Sequence, residues 1–239
     1  MRAVVLAGGK GTRLRPYTTV LPKPLMPIGD MPVLEVVLRQ LRASGFSRVT
    51  MAVGHLAELL QAFFKDGSEL GIEIDYSIES QPLGTVGPLT LVPDLSETFL
   101  LMNGDTLTDL NYRDLVEFHR KQGAQATIAT ADRQVNIDFG VVECDDAGRI
   151  VRYIEKPSYR YKVSMGIYVF EPTVLSYLEA GERFDFPDLI QVLIGHGHRV
   201  ASYPFSGYWM DIGRPDDYAR AAEEFEEQRE RFLGGSRSQ

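Results

Sequence analysis

The 239-residue chain holds one cysteine, Cys144, so it can form no internal disulfide and is not a disulfide-stapled secreted scaffold. It also lacks any apolar run near the roughly 18 residues of a membrane helix. Its longest apolar stretches, such as Val4-Val5-Leu6-Ala7 and Phe99-Leu100-Leu101-Met102, are short and interrupted. Basic charge is in deficit: 25 Lys+Arg against 33 Asp+Glu leave a net charge of −8, which argues against a general nucleic-acid binder. There is no internal repeat and no long linker. Only five apolar residues, Ala3 to Ala7, separate Arg2 from the first glycine pair, too few for a secretion signal. These absences lead us to expect a cytoplasmic protein that neither spans a membrane nor binds nucleic acid. The remaining composition is ordinary for a globular chain, and the length suffices for a sizeable core.

Strand-like and helix-like segments alternate through the first half. Arg2–Ala7 reads as a buried strand that feeds a glycine loop. Residues 32–44 place Leu34, Val37, Leu38 and Leu41 on one helical face, with Asp30 as a candidate cap and Gly45 as a stop. Arg48–Val53 reads as a strand and 55–65 as a helix. Ile72, Ile74, Tyr76 and Ile78 alternate with polar residues, predicting a strand with one wet face. Phe99–Met102 is a further buried strand, and Asn111 can cap a helix reaching about Gln122. The second half is richer in strands: 126–130, 140–143, 150–154, 164–170 and 200–203. A helix over 185–194 and a last one from Pro215 to Phe232 complete the reading. The pattern predicts an α/β fold with a Rossmann-like mixed, mostly parallel sheet and helices on both faces. We expect a single domain over residues 1–233 and a flexible tail over 234–239.

The most informative segment is Leu6-Ala7-Gly8-Gly9-Lys10-Gly11-Thr12-Arg13-Leu14. Glycines after a buried strand let backbone N–H groups approach phosphates, although a plain tight turn fits them equally well. The segment is not a dinucleotide fingerprint, because the third glycine would fall on Leu14, and this disfavours a nicotinamide-dependent oxidoreductase. It is not a P-loop either. Next comes Leu21-Pro22-Lys23-Pro24-Leu25-Met26-Pro27, whose prolines predict an extended path with Lys23 held between two of them. Alone, Lys23 reads as a solvated lysine; beside a phosphate-cradling loop it becomes a phosphate contact. Asp105 follows a buried strand in an Asn-Gly-Asp turn, where a carboxylate faces the crevice at a sheet's carboxyl edge. His196-Gly197-His198 has metal-like spacing but falls in a loop.

Together, Leu-Ala-Gly-Gly-Lys-Gly-Thr-Arg-Leu and Pro-Lys-Pro-Leu-Met-Pro resemble the signature of the sugar-1-phosphate nucleotidylyltransferases, the nucleoside-diphosphate-sugar pyrophosphorylases. Gln81-Pro82-Leu83-Gly84-Thr85, Asn103-Gly104-Asp105, Phe139-Gly140-Val141-Val142, Ile154-Glu155-Lys156-Pro157, Ser164-Met165-Gly166 and Trp209-Met210-Asp211 follow in that family's order. The resemblance implies the nucleotide-diphospho-sugar transferase fold. It also implies NTP and a sugar 1-phosphate as substrates, Mg²⁺ as cofactor, and a homo-oligomer as a common state. Leu6, Ala7, Gly8, Gly9, Gly11, Thr12 and Arg13 would hold the triphosphate, and Gln81, Gly84 and Thr85 the base. Lys23 and Lys156 would hold the sugar phosphate and Glu155 the sugar hydroxyls, with Gly140 and Ser164 lining the same pocket. Asp105 and Asp211 would hold Mg²⁺, and Arg13, Lys23, Asp105 and Asp211 would be catalytic. Within the family the sequence is most similar to mannose-1-phosphate guanylyltransferases, with the glucose-1-phosphate thymidylyl- and uridylyltransferases as alternatives. A second alternative is a non-catalytic module that binds sugar nucleotides. We also expect no C-terminal β-helix domain, because the chain ends one helix after Asp211.

Overall fold

A computed structural model describes residues 1–233, and the expected tail over 234–239 lies outside the described residues. The first half runs β1 (Arg2–Leu6), β2 (Pro27–Ile28), β3 (Met31–Pro32), α1 (Val33–Ala43), β4 (Arg48–Val53), α2 (Ala57–Phe64), β5 (Glu73–Ile78), β6 (Phe99–Asn103), β7 (Thr106–Thr108) and α3 (Tyr112–Gln122). The second runs β8 (Ala126–Asn136), β9 (Val141–Cys144), β10 (Ile150–Ile154), β11 (Ser158–Phe170), α4 (Phe186–Gly195), β12 (Val200–Phe205), β13 (Trp209–Asp211), α5 (Pro215–Glu227) and α6 (Arg229–Leu233).

Seven strands form one sheet in the order β12-β8-β11-β6-β1-β4-β5. β6, β1, β4 and β5 are mutually parallel, and β11 is inserted antiparallel between β6 and β8. The side-chain alternation of β1 divides two cores. Ala3 and Val5 join Leu34, Leu38, Leu60 and Leu115 from α1, α2 and α3 on one face. Val4 joins Phe99, Phe170, Leu189 and Leu193, with α4, on the other. Each such buried side chain contributes about 1.5–3 kcal/mol, which is why this run is continuously apolar. A third cluster, including Ile28, Leu107, Met210, Ile212 and Phe225, packs β7 and β13 against α5. The expected class, a mixed and mostly parallel sheet covered on both faces, is what the chain forms. Among the described residues no helix is long and apolar enough to cross a membrane.

Several local expectations change. Asp30 does not cap α1; the Val33 N–H donates to the Met26 carbonyl (3.0 Å), and Asp30 pairs with Arg229. Backbone from the preceding turn thus supplies the acceptor that a side-chain cap would have offered. Asn111 does cap α3, accepting from the Arg113 N–H at 3.0 Å. The wet-face alternation in β5 fails at its carboxyl end, where Ser77 is buried and Ile78 is 56% exposed, because β5 is the edge strand there. The last helix is two: the chain leaves helical geometry at Gln228, and Phe232 folds back beside Phe225. The prolines around Lys23 do not hold an extended path throughout. Pro22 is extended, but Lys23–Leu25 forms a 3₁₀ turn, tolerated because Pro24 sits where no N–H donor is required.

His119 on α3 is fully buried between Thr127 (2.8 Å) and Glu171 (3.0 Å). Desolvation holds its pKa below the ordinary histidine value despite Glu171 nearby. A base depressed in the folded state contributes stability that is complete above the unfolded pKa near 6.5 and is lost as pH falls through the folded value. We expect Tm to fall as pH drops from about 7.5 to about 5, and the slope to flatten in His119→Gln. Parallel melting curves whose pH slopes match would contradict this.

Candidate active site

The strand order reverses at β1: β4 and β5 lie on one side of it and β6 on the other. Ligand crevices form beyond the carboxyl ends of strands at such a point. β1 and β6 end in register, Leu6 opposite Asn103, and the Gly104 N–H donates to the Leu6 carbonyl at 2.9 Å. A cleft of about 690 Å³ opens there, lined by Leu6, Ala7, Gly8, Gly9, Lys23, Gln81, Gly84, Thr85 and Asp105 among the expected residues.

The glycine loop is fixed at its start and open at its tip. The Ala7 N–H donates to the Ala52 carbonyl (2.8 Å), and the Gly8 carbonyl accepts from the His55 N–H (3.4 Å). A Cβ on Gly8 would stand 2.9 Å from a Glu79 carboxylate oxygen and 3.1 Å from the Gly54 nitrogen, so this position has no room for a side chain. A Cβ on Gly9 would meet nothing within 4 Å. Gly11 adopts φ +58°, with its carbonyl accepting from the Thr18 hydroxyl at 2.7 Å. It opens the short 3₁₀ turn Thr12–Leu14; Leu14 is buried, and Thr12 and Arg13 are left exposed.

Asp105 and Asp211 come together through β7 and β13. Their short antiparallel ladder sets Asp211 opposite Thr106, and the Ile212 N–H donates to the Asp105 carbonyl at 3.2 Å. That bonding makes Thr106 and Asp211 a non-hydrogen-bonded pair, the closer of the two cross-strand spacings. Burial, and then the Asp105 carboxylate, push the Asp211 carboxyl above the ordinary range, while Lys23 and Arg13 pull it down. Lys23 makes a direct ion pair with one Asp105 oxygen, Oδ2. The other, Oδ1, is buried with no hydrogen-bond partner. Arg13 approaches from the far side: a Cβ on Gly213 would lie 3.4 Å from its Nη1 and 3.3 Å from the Asp211 Oδ2. Two carboxylates, one with an orphaned buried oxygen, suit Mg²⁺, which takes one or two protein carboxylates and completes its shell with phosphate oxygens and water.

The loop over residues 81–85 is clamped from outside. Gly84 adopts φ +82° against Phe184, and the Gln81 amide donates to the Gly181 carbonyl at 3.4 Å. The Thr85 hydroxyl accepts from the Phe186 N–H (2.6 Å), and its own N–H donates to Asp185 (3.1 Å), so the polar groups of Thr85 are engaged in starting α4.

Gly140, Glu155 and Lys156 do not line the cleft; they gather around the β9–β10 hairpin. The Tyr153 ring stands over Gly140, and its hydroxyl donates to Glu155 at 2.9 Å. Lys156, at φ +44°, turns the chain towards β11. Ser164 sits at a bulge in β11, where its hydroxyl donates to Tyr168 (3.1 Å) and accepts from the Gly166 N–H (3.3 Å). Gly166 in turn presses on Asn103, so Ser164 borders the end of β6. The histidines of the 196–198 segment are engaged otherwise: His198 with the Tyr177 hydroxyl (2.6 Å) and His196 with the Val192 carbonyl (2.9 Å). Among the described residues no group of three or more metal-ligating side chains occurs.

Sequence reasoning missed Glu79, His55, Asn103 and Arg183, all lining the cleft. Glu79 is the most telling. It immediately follows β5, accepts from the Leu83 N–H at 2.8 Å, and faces Gly8, so it lies between the glycine loop and the 81–85 loop. Burial raises its pKa. Its position directly after a parallel strand was the one hint, and that position carries no motif.

The class defined by this sheet and cleft is a nucleotide-binding α/β enzyme fold. Residues 2–228 match the sequence model of the family described as Nucleotidyl transferase, and the chain belongs to that family. It is 37% identical over 241 residues to the UTP–glucose-1-phosphate uridylyltransferase of Synechocystis sp., covering 92% of this chain and 62% of that protein. It is 37% identical over 228 residues to the mannose-1-phosphate guanylyltransferase catalytic subunit beta of Drosophila melanogaster, covering 91% of this chain and 60% of that protein. The chain thus spans about three-fifths of the length of these curated relatives. Its fold matches the crystal structure of a Bacillus anthracis protein in complex with a sucrose, with a TM-score of 0.77 at 24% identity, covering 100% of this chain and 98% of that one. It also matches HddC from Yersinia pseudotuberculosis complexed with GMP-PN, with a TM-score of 0.72 at 23% identity, covering 94% and 99%.

Gly8→Ala must displace backbone, and we expect it to lower stability by about 1–3 kcal/mol. Gly9→Ala should leave Tm nearly unchanged and instead raise the KM for nucleotide, since its side chain would enter open cleft. Thermal melts and steady-state kinetics of the two variants separate the outcomes; equal Tm losses would contradict the assignment.

Proposed function

We propose that the chain joins an NTP to a sugar 1-phosphate, forming an NDP-sugar and releasing pyrophosphate. The observation that carries this reading is the proximity of four charged side chains: Lys23 pairs with Asp105, and Asp105, Lys23 and Arg13 all act on the Asp211 carboxyl, beside a cleft that Lys23 and Asp105 line. The sugar phosphate oxygen attacks the α-phosphorus in line, and pyrophosphate leaves opposite. No protein nucleophile is needed, so the chain acts by positioning and charge neutralisation. Backbone N–H groups of Gly8 to Thr12 cradle the triphosphate. Arg13 meets charge that grows on the leaving pyrophosphate, and Lys23 draws the two anionic substrates together. Asp105 and Asp211 would hold Mg²⁺, which would supply charge to neutralise phosphate oxygens. Lys156 meets the sugar phosphate and Glu155 the sugar hydroxyls, with Gly140 and Ser164 in the same pocket, although in this structure none of the four lines the cleft.

For the nucleotide we propose GTP, with mannose 1-phosphate as partner. Glu79 supports guanine: an ionised carboxylate only accepts hydrogen bonds. The Watson–Crick edge of guanine presents two adjacent donors, whereas that of uracil or thymine sets one donor between two acceptors. Gln81 and Gly84 complete the base contacts.

Pyrophosphate release measured across four NTPs and a panel of sugar 1-phosphates tests this reading. We expect GTP to be preferred, and Glu79→Gln to lower its kcat/KM about 10–100-fold while pyrimidine nucleotides lose less. A preference for UTP or dTTP that survives Glu79→Gln would reassign the base. Arg13→Ala should lower kcat about 100-fold or more with a smaller change in KM. Asp105→Asn and Asp211→Asn should abolish Mg²⁺-dependent turnover with Tm retained. Near-normal kcat in Arg13→Ala, or unchanged metal dependence in either aspartate variant, would remove that residue from the machinery.

A further inference from the structure

We propose that Lys23 serves as a stand-in for the divalent cation in the ligand-free protein, and that metal binding displaces it from Asp105. The inference rests on the reading of Asp105 and Asp211 as metal ligands. Lys23 Nζ contacts Asp105 Oδ2 directly, with the two side chains only 11% and 21% exposed. Asp211 adds a second carboxylate across the ladder from Thr106. Two carboxylates so placed need positive charge between them, and one ammonium neutralises only one of them. The backbone of Lys23 is fixed by its 3₁₀ turn, where the Met26 N–H donates to the Lys23 carbonyl at 3.0 Å. Its four-carbon stem nevertheless lets the ammonium move through several ångströms.

A metal ion arriving alone has to break this largely desolvated ion pair. A triphosphate changes the balance, because it offers the ammonium another anion in the same cleft. Lys23 then leaves Asp105, and the phosphates bring oxygen ligands that the two aspartates lack. Metal and nucleotide therefore favour each other's binding, and by linkage the factor is the same in both directions. Lys23 thus opposes premature metal entry and, once released, holds substrate phosphate.

Mn²⁺ binding to the full chain without nucleotide, read from the free-ion paramagnetic resonance signal near about pH 8, tests the proposal. We expect Lys23→Met and Lys23→Gln to bind Mn²⁺ about tenfold more tightly than the unmodified chain, and Lys23→Arg to stay within about twofold. A lysine that merely supported the site would give weaker or equal binding in the neutral variants, and that result overturns the displacement. Absence of Mn²⁺ binding in every protein overturns it too. Asp105→Asn and Asp211→Asn separate the two levels. If both lose Mn²⁺ while the neutral Lys23 variants gain nothing, only this inference fails. If both bind Mn²⁺ like the unmodified chain, the metal-site reading fails with it.

Discussion

Two carboxylates set side by side repel each other, and the fold must hold Asp105 and Asp211 together regardless. At the effective dielectric of a protein surface, neighbouring like charges cost on the order of a few kcal/mol before any compensation. The three-residue ladder of β7 and β13 is too short to carry that cost through hydrogen bonds alone, each worth about 1 kcal/mol net. The side chains around it supply the rest. Leu107, Met210 and Ile212 are 3% exposed or less, in one cluster with Ile28 and Phe225. Their burial contributes about 1.5–3 kcal/mol apiece and steadies the ladder, while Lys23 and Arg13 offset the repulsion with positive charge. The Gln40 amide ties the same region to α1, donating to the Thr108 and Phe232 carbonyls at 2.7 and 3.0 Å. The small third core is thus what permits an anionic pair at the cleft.

The rest of the site follows from where the sheet changes direction. At the boundary between β1 and β6 two strand ends deliver their following loops to one place, one rich in glycine and the other in polar groups. The glycine loop is pinned at Gly8 between Glu79 and Gly54, leaving no space for a methyl group, and opens at Gly9. Rigidity at the base and access at the tip are what a phosphate cradle requires: fixed N–H directions and an unobstructed approach.

Much of this was legible in the sequence because it is written locally. The apolar stripe of α1, the Asn111 cap and the buried run of β1 each depend on residues within a few positions, and each formed as expected. So did the class of sheet. What sequence could not yield were distant pairings. Asp211 reaches Asp105 only because β13 selects β7 as its partner, and no spacing of about one hundred residues encodes that choice. Asp30 shows the opposite failure: a good capping residue in a good position, outcompeted by the Met26 carbonyl. Thr85 was expected at the base, but a hydroxyl beside a helix start serves the nearest unpaired N–H, here that of Phe186. Glu79 escaped notice because a lone carboxylate at a strand end carries no motif; its meaning comes from Gly8 and Leu83, which lie on two different loops.

The arrangement separates what the reaction needs from what chooses its substrates. Asp105 follows the end of β6 and Asp211 ends β13, while Arg13 and Lys23 stand on the 3₁₀ turns between β1 and β2. Gly140, Glu155 and Lys156 stand apart, on a hairpin whose Val142, Val151 and Tyr153 are 47–64% exposed and therefore contribute little to those cores. Substitutions on such an arm come at small cost to folding, which under the proposed reading leaves the sugar side free to vary. Overall similarity then becomes a poor guide to specificity. Relatives named for uridylyl and for guanylyl transfer stand at the same 37% identity to this chain. Under the proposed reading the choice rests on a few side chains at the cleft margin, and the Glu79 carboxylate is the one whose hydrogen-bonding chemistry favours guanine.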